Sequence, residues 1–256
     1  MLKRLGFIGA GKMAQHHARA AVALGAEIFS VSTARGIGPN IEMMQEIANG
    51  GITYCTHNNL VYEDKRLDAV IVAAPWNVIP EMMPQLLECK LPMLIEKPVY
   101  LGTVDRAGHQ EVPNKFVAYN RRCYDGVQLL RGRIAEGGVR SADVTISEIL
   151  PSIIERHGEE IVPHLWEMNC AHTLDLLFYL FGDFEVEWTF ASELSSFMHC
   201  EAMLMGFYNI PINLHIHEND PSPAGIRVRF DGGEVWVLSP LEVLRTYKGV
   251  TVSGPS

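Results

Sequence analysis

The sequence lacks the surplus of basic residues that a nucleic-acid surface needs. Its 256 residues carry 21 Lys and Arg against 30 Asp and Glu, a formal charge of -9. Phosphate neutralisation requires clustered positive charge, so neither a nucleic acid nor an acidic membrane surface is an expected partner. Long hydrophobic runs are also missing. The start, Met1-Leu2-Lys3-Arg4, begins like a secretory leader but is broken by Gly9, Gly11, Lys12, Gln15, His16 and His17. No stretch approaches the roughly 18 apolar residues of a membrane span. Cysteine is sparse: Cys55, Cys89, Cys123, Cys170 and Cys200 are odd in number, widely spaced and free of any C-x-x-C pair. That spacing predicts reduced thiols in a cytoplasmic protein, and no metal site. Internal repeats and low-complexity segments are lacking too. What is present is an ordinary globular composition, 48% hydrophobic and 20% charged, in a chain long enough for one large core or two modest ones.

Hydrophobic patterning divides the chain. Residues 5–10 form a short apolar run bounded by glycine, residues 13–24 have an Ala-rich helical composition ending at Gly25, and residues 26–32 read as a second strand. Strand, glycine turn, helix and strand make a βαβ unit with buried parallel strands. The pattern repeats more weakly, with helices over 41–48 and 78–89 and strands over 67–73, 91–95 and 115–119. A helix is expected over 125–136, stopped by Gly137-Gly138. Beyond it the strands lengthen and alternate: 141–150, 186–191, one long strand over 202–218, and a hairpin of 226–230 with 234–238 about Asp231-Gly232-Gly233. Glycine there admits the positive φ of a tight turn. One strongly apolar helix is expected over 165–181. The expected fold is therefore α/β: an N-terminal Rossmann domain with a parallel sheet (1–119) and a C-terminal α+β domain (120–256) with a mainly antiparallel, open-faced sheet.

Four constellations carry chemistry. Gly9-Ala10-Gly11-Lys12-Met13-Ala14 follows a strand and opens a helix, the G-x-G-x-x-A form of a dinucleotide fingerprint. Gly9 permits the turn, Gly11 admits the pyrophosphate, Ala14 allows close helix packing, and the helix N-terminus faces the phosphates. At the end of the second strand, where an NAD site places a carboxylate for the ribose diol, the chain reads Ser32-Thr33-Ala34-Arg35. Two hydroxyls and a guanidinium suit a 2′-phosphate, so NADP is the preferred cofactor and NAD the alternative; Arg35 on a solvated loop is the plainer reading. Glu96-Lys97-Pro98 closes a predicted strand, where a lysine can reach the nicotinamide and the reacting carbon. Finally Asn169, His172 and Asp175, three residues apart, form a polar stripe on the apolar helix. His172 is either a hydrogen-bonded core histidine or a general acid/base.

In this order the pieces resemble the glucose-fructose oxidoreductase / inositol dehydrogenase (Gfo/Idh/MocA) family over nearly the whole chain. The matching residues are Gly9, Gly11, Ala14 and His17; Ala73-Ala74-Pro75-Trp76-Asn77; Glu96-Lys97-Pro98; Ala118-Tyr119-Asn120-Arg121-Arg122; and His172, Asp175 and Gly182. The resemblance implies a cofactor contacted by Gly9, Gly11, Lys12, Met13, Ser32, Thr33, Arg35, Ala74, Pro75, Trp76, Asn77, Glu96 and Lys97. It implies reversible oxidation of a sugar, cyclitol or nucleotide-sugar-like hydroxyl, with Lys97 and His172 at the reacting carbon, and a homo-oligomer formed through the open sheet. Asn120, Arg121, Arg122 and Asp175 are candidate substrate contacts; a charged loop at a domain junction is the alternative. Three features depart from the family: Met168 stands where an aspartate is common, leaving Asn169 or Glu167 as replacement; the segment from Pro98 to Lys115 is short; and the chain ends soon after the Glu234 hairpin. Two rival functions stay open, a non-catalytic NAD(P)-binding sensor and an enzyme using tightly bound NAD as an internal redox relay.

Overall fold

The computed structural model describes residues 3–34, 36–102, 112–194, 197–206, 209–218 and 224–248. The chain forms two compact units, Met1–Ala118 and Tyr119–Ser256.

In the first unit six strands, β1 (Arg4–Ile8), β2 (Glu27–Ser32), β3 (Thr53–Cys55), β4 (Ala69–Val72), β5 (Met93–Ile95) and β6 (Lys115–Val117), alternate with helices α1 (Lys12–Ala23), α2 (Pro39–Ala48), α3 (Asn59–Tyr62) and α4 (Ile79–Glu88). The sheet order is β3-β2-β1-β4-β5-β6. Every neighbouring pair is parallel. Phe7 and Ile8 of β1 pack into two different clusters of the unit's core. Side chains of both parities are thus removed from water, which is why this strand shows no polar alternation. Ala14, Ala18 and Ala21 are the buried residues of α1, and their four- and three-residue spacing puts small side chains on one helix face. The strand order reverses between β1 and β4, a topological switch point whose carboxyl edge favours ligand binding.

The second unit begins with α5 (Asp125–Ala135), β7 (Val139–Glu148) and α6 (Leu150–His157), and continues with α7 (Ala171–Phe181). Strands β8 (Phe184–Leu194), β9 (Phe197–Gly206), β10 (Ile210–Glu218), β11 (Gly225–Phe230), β12 (Val235–Leu238) and β13 (Leu244–Tyr247) complete it. The seven-stranded sheet has order β13-β12-β11-β7-β10-β9-β8. Its central pair, β7 with β10, is parallel, and the other pairs are antiparallel. On β7, Ala142, Val144 and Ile146 are buried and alternate with Ser141, Asp143 and Thr145. Leu176, Leu177, Leu180 and Phe181 of α7 join Val127 and Leu130 of α5 in the core beside this sheet. Each such side chain contributes about 1.5–3 kcal/mol by leaving water.

Two expectations change. The single strand expected over 202–218 is two antiparallel strands, β9 and β10, with Asn209 at φ 58 between them. Asparagine tolerates that left-handed conformation, and the apolar pattern continues past the turn because Leu204 and Ile212 are cross-strand partners. The apolar helix is not uniform either: Trp166–Cys170 is a π-helical turn leading into α7. No helix among the described residues is long and apolar enough to cross a membrane.

Candidate functional site

The first unit has a cleft of about 380 Å³ at the carboxyl ends of β1, β2 and β4, lined by Gly9, Gly11, Lys12, Met13, Ser32, Thr33, Ala74 and Pro75 together with Ile8, Ala10, Ala34, Asn40, Asn58, Ala73 and Val78. Gly9 has φ +100, and a Cβ there would lie 2.3 Å from the Ala73 carbonyl oxygen. Only glycine fits where the turn after β1 meets the loop after β4. A Cβ on Gly11 would meet nothing within 4 Å, so the backbone beyond the turn faces open space. Gly11 caps α1 without any side-chain hydrogen bond. The first N–H groups of α1 and the positive end of its dipole are therefore unscreened by a cap. Among the described residues Lys12 is the one charged residue lining the cleft, and none of them brings a carboxylate to it.

Several residues expected at the cofactor are engaged within the fold or lie away from the cleft. Ser32 is fully buried, and its hydroxyl donates to Asn58 Oδ1 at 2.7 Å. Thr33 accepts from the Tyr54 hydroxyl through its carbonyl at 3.3 Å. Arg35 lies outside the described residues. Trp76 and Asn77 follow Pro75 on the loop into α4 but do not line the cleft. Glu96, buried just after β5, has its Oε1 2.7 Å from His17 Nε2, a contact joining α1 to the end of β5. Lys97 follows it, half-buried. Asn40 and Asn58, which no motif marked, enter the cleft from α2 and from the loop before α3.

In the second unit His172 sits in the first turn of α7, directly after the π turn. Its imidazole meets the Tyr119 ring edge-on, with centroids 6.0 Å apart and planes at 83°. The segment carrying Tyr119 lies along the helix. Arg121 Nη1 approaches Thr173 Oγ1 at 3.5 Å. Arg122 grips Asp175 with two N–H groups, Nε to Oδ2 at 2.7 Å and Nη2 to Oδ1. The same guanidinium stands 5.7 Å from the Tyr119 ring centroid and 5.1 Å from that of Tyr179. Arg122 and Asp175, both expected to touch substrate, are thus each other's partners. Asn120 is exposed. Burial, reinforced by the Asp175 charge and opposed by Arg122, raises the Tyr119 pKa, so the phenol stays protonated.

Asn169, on the π turn, donates Nδ2 to Glu148 Oε2 at 3.1 Å. Glu148 ends β7 in register with Glu218 at the end of β10. Burial pushes the Cys170 thiol up to about 12, and the negative charges of Glu148, Glu218 and Glu167 add to that rise. Three carboxylates therefore act on this stretch: Glu167, a candidate replacement for the family's aspartate, and Glu148 and Glu218, which no sequence motif marked. Met168 is only 4% exposed and belongs to the core. Among the described residues no group of three or more His, Cys, Asp or Glu is arranged to hold a metal ion.

Residues 3–112 match the model of the GFO_IDH_MocA oxidoreductase family, with its NAD-binding Rossmann fold. The N-terminal unit is thus similar to this family's Rossmann unit over nearly all of its length. The rhizopine catabolism protein MocA of Rhizobium meliloti is 31% identical over 140 residues, which are 52% of this chain and 43% of the relative. The match thus spans less than half the length of that curated relative. Solved structures extend the likeness of fold across both units. The WlbA dehydrogenase of Chromobacterium violaceum, in complex with NADH and UDP-GlcNAcA, superposes with a TM-score of 0.75 at 16% identity, covering 100% of this chain and 79% of that one. The myo-inositol dehydrogenase of Lactobacillus casei, in complex with NAD(H) and myo-inositol, has a TM-score of 0.70 at 16% identity, with 100% and 76% covered. The N-terminal unit fits a dinucleotide: the close approach at Gly9, the open space at Gly11 and the uncapped α1 together form a cradle for a pyrophosphate.

Proposed function

We propose that this chain is a cytoplasmic oxidoreductase that interconverts a hydroxyl and a carbonyl on a sugar, cyclitol or related polyol. The observation that carries the reading is the Gly9–Gly11 cradle at the sheet's switch point, in a chain that also presents a histidine braced by Tyr119. Bound nicotinamide supplies the hydride-accepting or hydride-donating carbon. His172 exchanges the hydroxyl proton, and Lys97 orients the substrate oxygen from the end of β5. Asn169 holds Glu148, and Arg122 with Asp175 holds Tyr119. The carboxylates Glu148, Glu167 and Glu218 favour a substrate rich in hydroxyl donors over a diphosphate. NADP is the preferred cofactor, because among the described residues no carboxylate lines the cleft to take a ribose diol and Lys12 adds positive charge.

The test is turnover followed at the nicotinamide absorbance, with NADP(H) and NAD(H) against polyols, cyclitols and nucleotide sugars. Lys97→Met and His172→Ala are expected to lower the chemical step by about two orders of magnitude or more, with cofactor affinity little changed. Asn169→Ala is expected to slow turnover less. Full activity in both the lysine and histidine variants would remove this assignment, and equal affinity for the two cofactors would remove the NADP preference.

The second unit supports self-association. Val186, Trp188 and Phe190 on edge strand β8 are 57%, 48% and 54% exposed. Contiguous apolar surface of this kind marks an interface. Light scattering at micromolar concentration is expected to give a dimer or larger; a monomer would contradict it.

A further inference from the structure

The second unit contains a larger cavity that plays no part in the function proposed above. It measures about 710 Å³ and lies between the carboxyl-terminal ends of α5 and α7 and the starts of β7 and β10. Ligand pockets occupy about 300–1,000 Å³, so the space suits a small molecule. Ile134, Val139, Phe178 and Ile210 give its walls an apolar part, and Phe178 is 40% exposed although it stacks on Phe184 at 4.4 Å.

Among the described residues one charge lines this cavity, Arg131. Among the described residues it has no carboxylate partner: its guanidinium lies 4.2 Å from the Tyr179 ring centroid and donates Nη1 to the Tyr179 hydroxyl at 2.8 Å. Gln128 Nε2 donates to the same oxygen at 2.8 Å. A phenol oxygen that accepts twice keeps its own proton to give, so Tyr179 is a donor at the rim. The remaining N–H groups of Arg131 are donors as well. Several nearby carbonyls are already occupied. Those of Ile134 and Phe178 receive the Gly137 and Gly182 N–H groups, Gly138 receives the Asp231 N–H, and Gly137 receives Arg133 Nη1. An apolar wall beside a cationic, donor-rich one is complementary to an acceptor-only anionic head on an apolar body.

We propose that this cavity binds a small carboxylic acid with an aromatic or branched apolar body, its carboxylate held by Arg131 and the Tyr179 hydroxyl. The site is separate from the one at His172. It is nevertheless linked to that region, because Tyr179 also carries the Arg122 guanidinium, which is fixed to Asp175.

The probe is 4-phenylbutyrate titrated into the full chain by calorimetry, with 4-phenyl-1-butanol and butyrate as controls. Saturable binding is expected for the acid, about tenfold or more weaker for the alcohol, which lacks the charge-assisted bonds, and weaker again for butyrate, which lacks the apolar body. Arg131→Gln is expected to remove the preference for acid over alcohol, and Ala135→Trp, at an exposed wall position, to abolish binding of both by filling the space. No saturable binding by the unmodified protein overturns the site. Binding that Arg131→Gln leaves unchanged overturns the carboxylate assignment. Neither result depends on turnover, so the dehydrogenase reading stands or falls separately.

Discussion

The two units build their candidate sites from different materials. The N-terminal unit uses backbone: a glycine that no other residue can replace, an open Gly11 and the uncapped start of α1. The C-terminal unit uses side chains that hold one another, Tyr119 against His172, Arg122 on Asp175 and Asn169 on Glu148. A backbone site is specified by a few small residues close together in sequence. A side-chain site draws on residues far apart, so its parts are individually ordinary.

The sharpest way to separate these modes is at the glycines. Gly9→Ala places a methyl against the Ala73 carbonyl at a strained φ, and is expected to cost about 3 kcal/mol or more in stability, above the usual range for strain alone. It should also abolish NADPH binding, read by protein-to-nicotinamide fluorescence. Gly11→Ala has room for its methyl, so its stability cost is expected to stay near 1 kcal/mol while cofactor affinity falls. Equal stability losses in the two variants would break the claim that one glycine serves the fold and the other the ligand.

A second difference is titration. Cys170 is a thiol whose ordinary value of 9.0 is raised to about 12 by burial and neighbouring carboxylates. The unfolded chain loses this proton near 9 and the folded one near 12, so the folded state binds more protons between them and stability falls as pH rises. The expected slope is about 1.4 kcal/mol per pH unit within that window. Urea unfolding of the wild type and of Cys170→Ala from pH 8 to 11 measures it. A variant with the same alkaline slope would show that the thiol contributes nothing.

A smaller effect than that of Gly9→Ala is expected at the Arg122–Asp175 pair. Asp175 is nearly buried, its side chain 7% exposed, whereas Arg122 is 41% exposed. Breaking a fully buried pair costs about 3–5 kcal/mol; with the arginine half in water, Asp175→Ala is expected to cost about 2 kcal/mol. In a double-mutant cycle with Arg122→Ala the losses should fall short of additive. Strict additivity would mean that the pair is incidental and that Arg122 remains available to substrate.

Much of the first unit was legible in the sequence. Leu5-Gly6-Phe7-Ile8 followed by Gly9-Ala10-Gly11 announced a buried strand, a turn and an uncapped helix, because these depend on local backbone preferences and burial. Asn40 and Asn58 were not legible: they reach the cleft from α2 and from the loop before α3, and nothing in their local sequence distinguishes them from other asparagines. In the second unit the polar stripe of Asn169, His172 and Asp175 was visible, but its meaning was not. Asp175 proved to be the anchor of Arg122, 53 residues away.

By itself the sequence determined the βαβ start, the glycine turn, the alternating strands of the second half and the hairpin at Asp231-Gly232-Gly233, where Gly232 has φ 72. Each is settled by interactions within a few residues or by a simple period of hydrophobicity. Tertiary structure alone decided that 202–218 is two strands, that β7 and β10 pair in parallel, that the apolar helix opens with a π turn, and that Ser32 gives its proton to Asn58. These choices depend on which distant partner satisfies a buried polar group or covers an apolar face, and such partners are assigned only when the whole chain has packed.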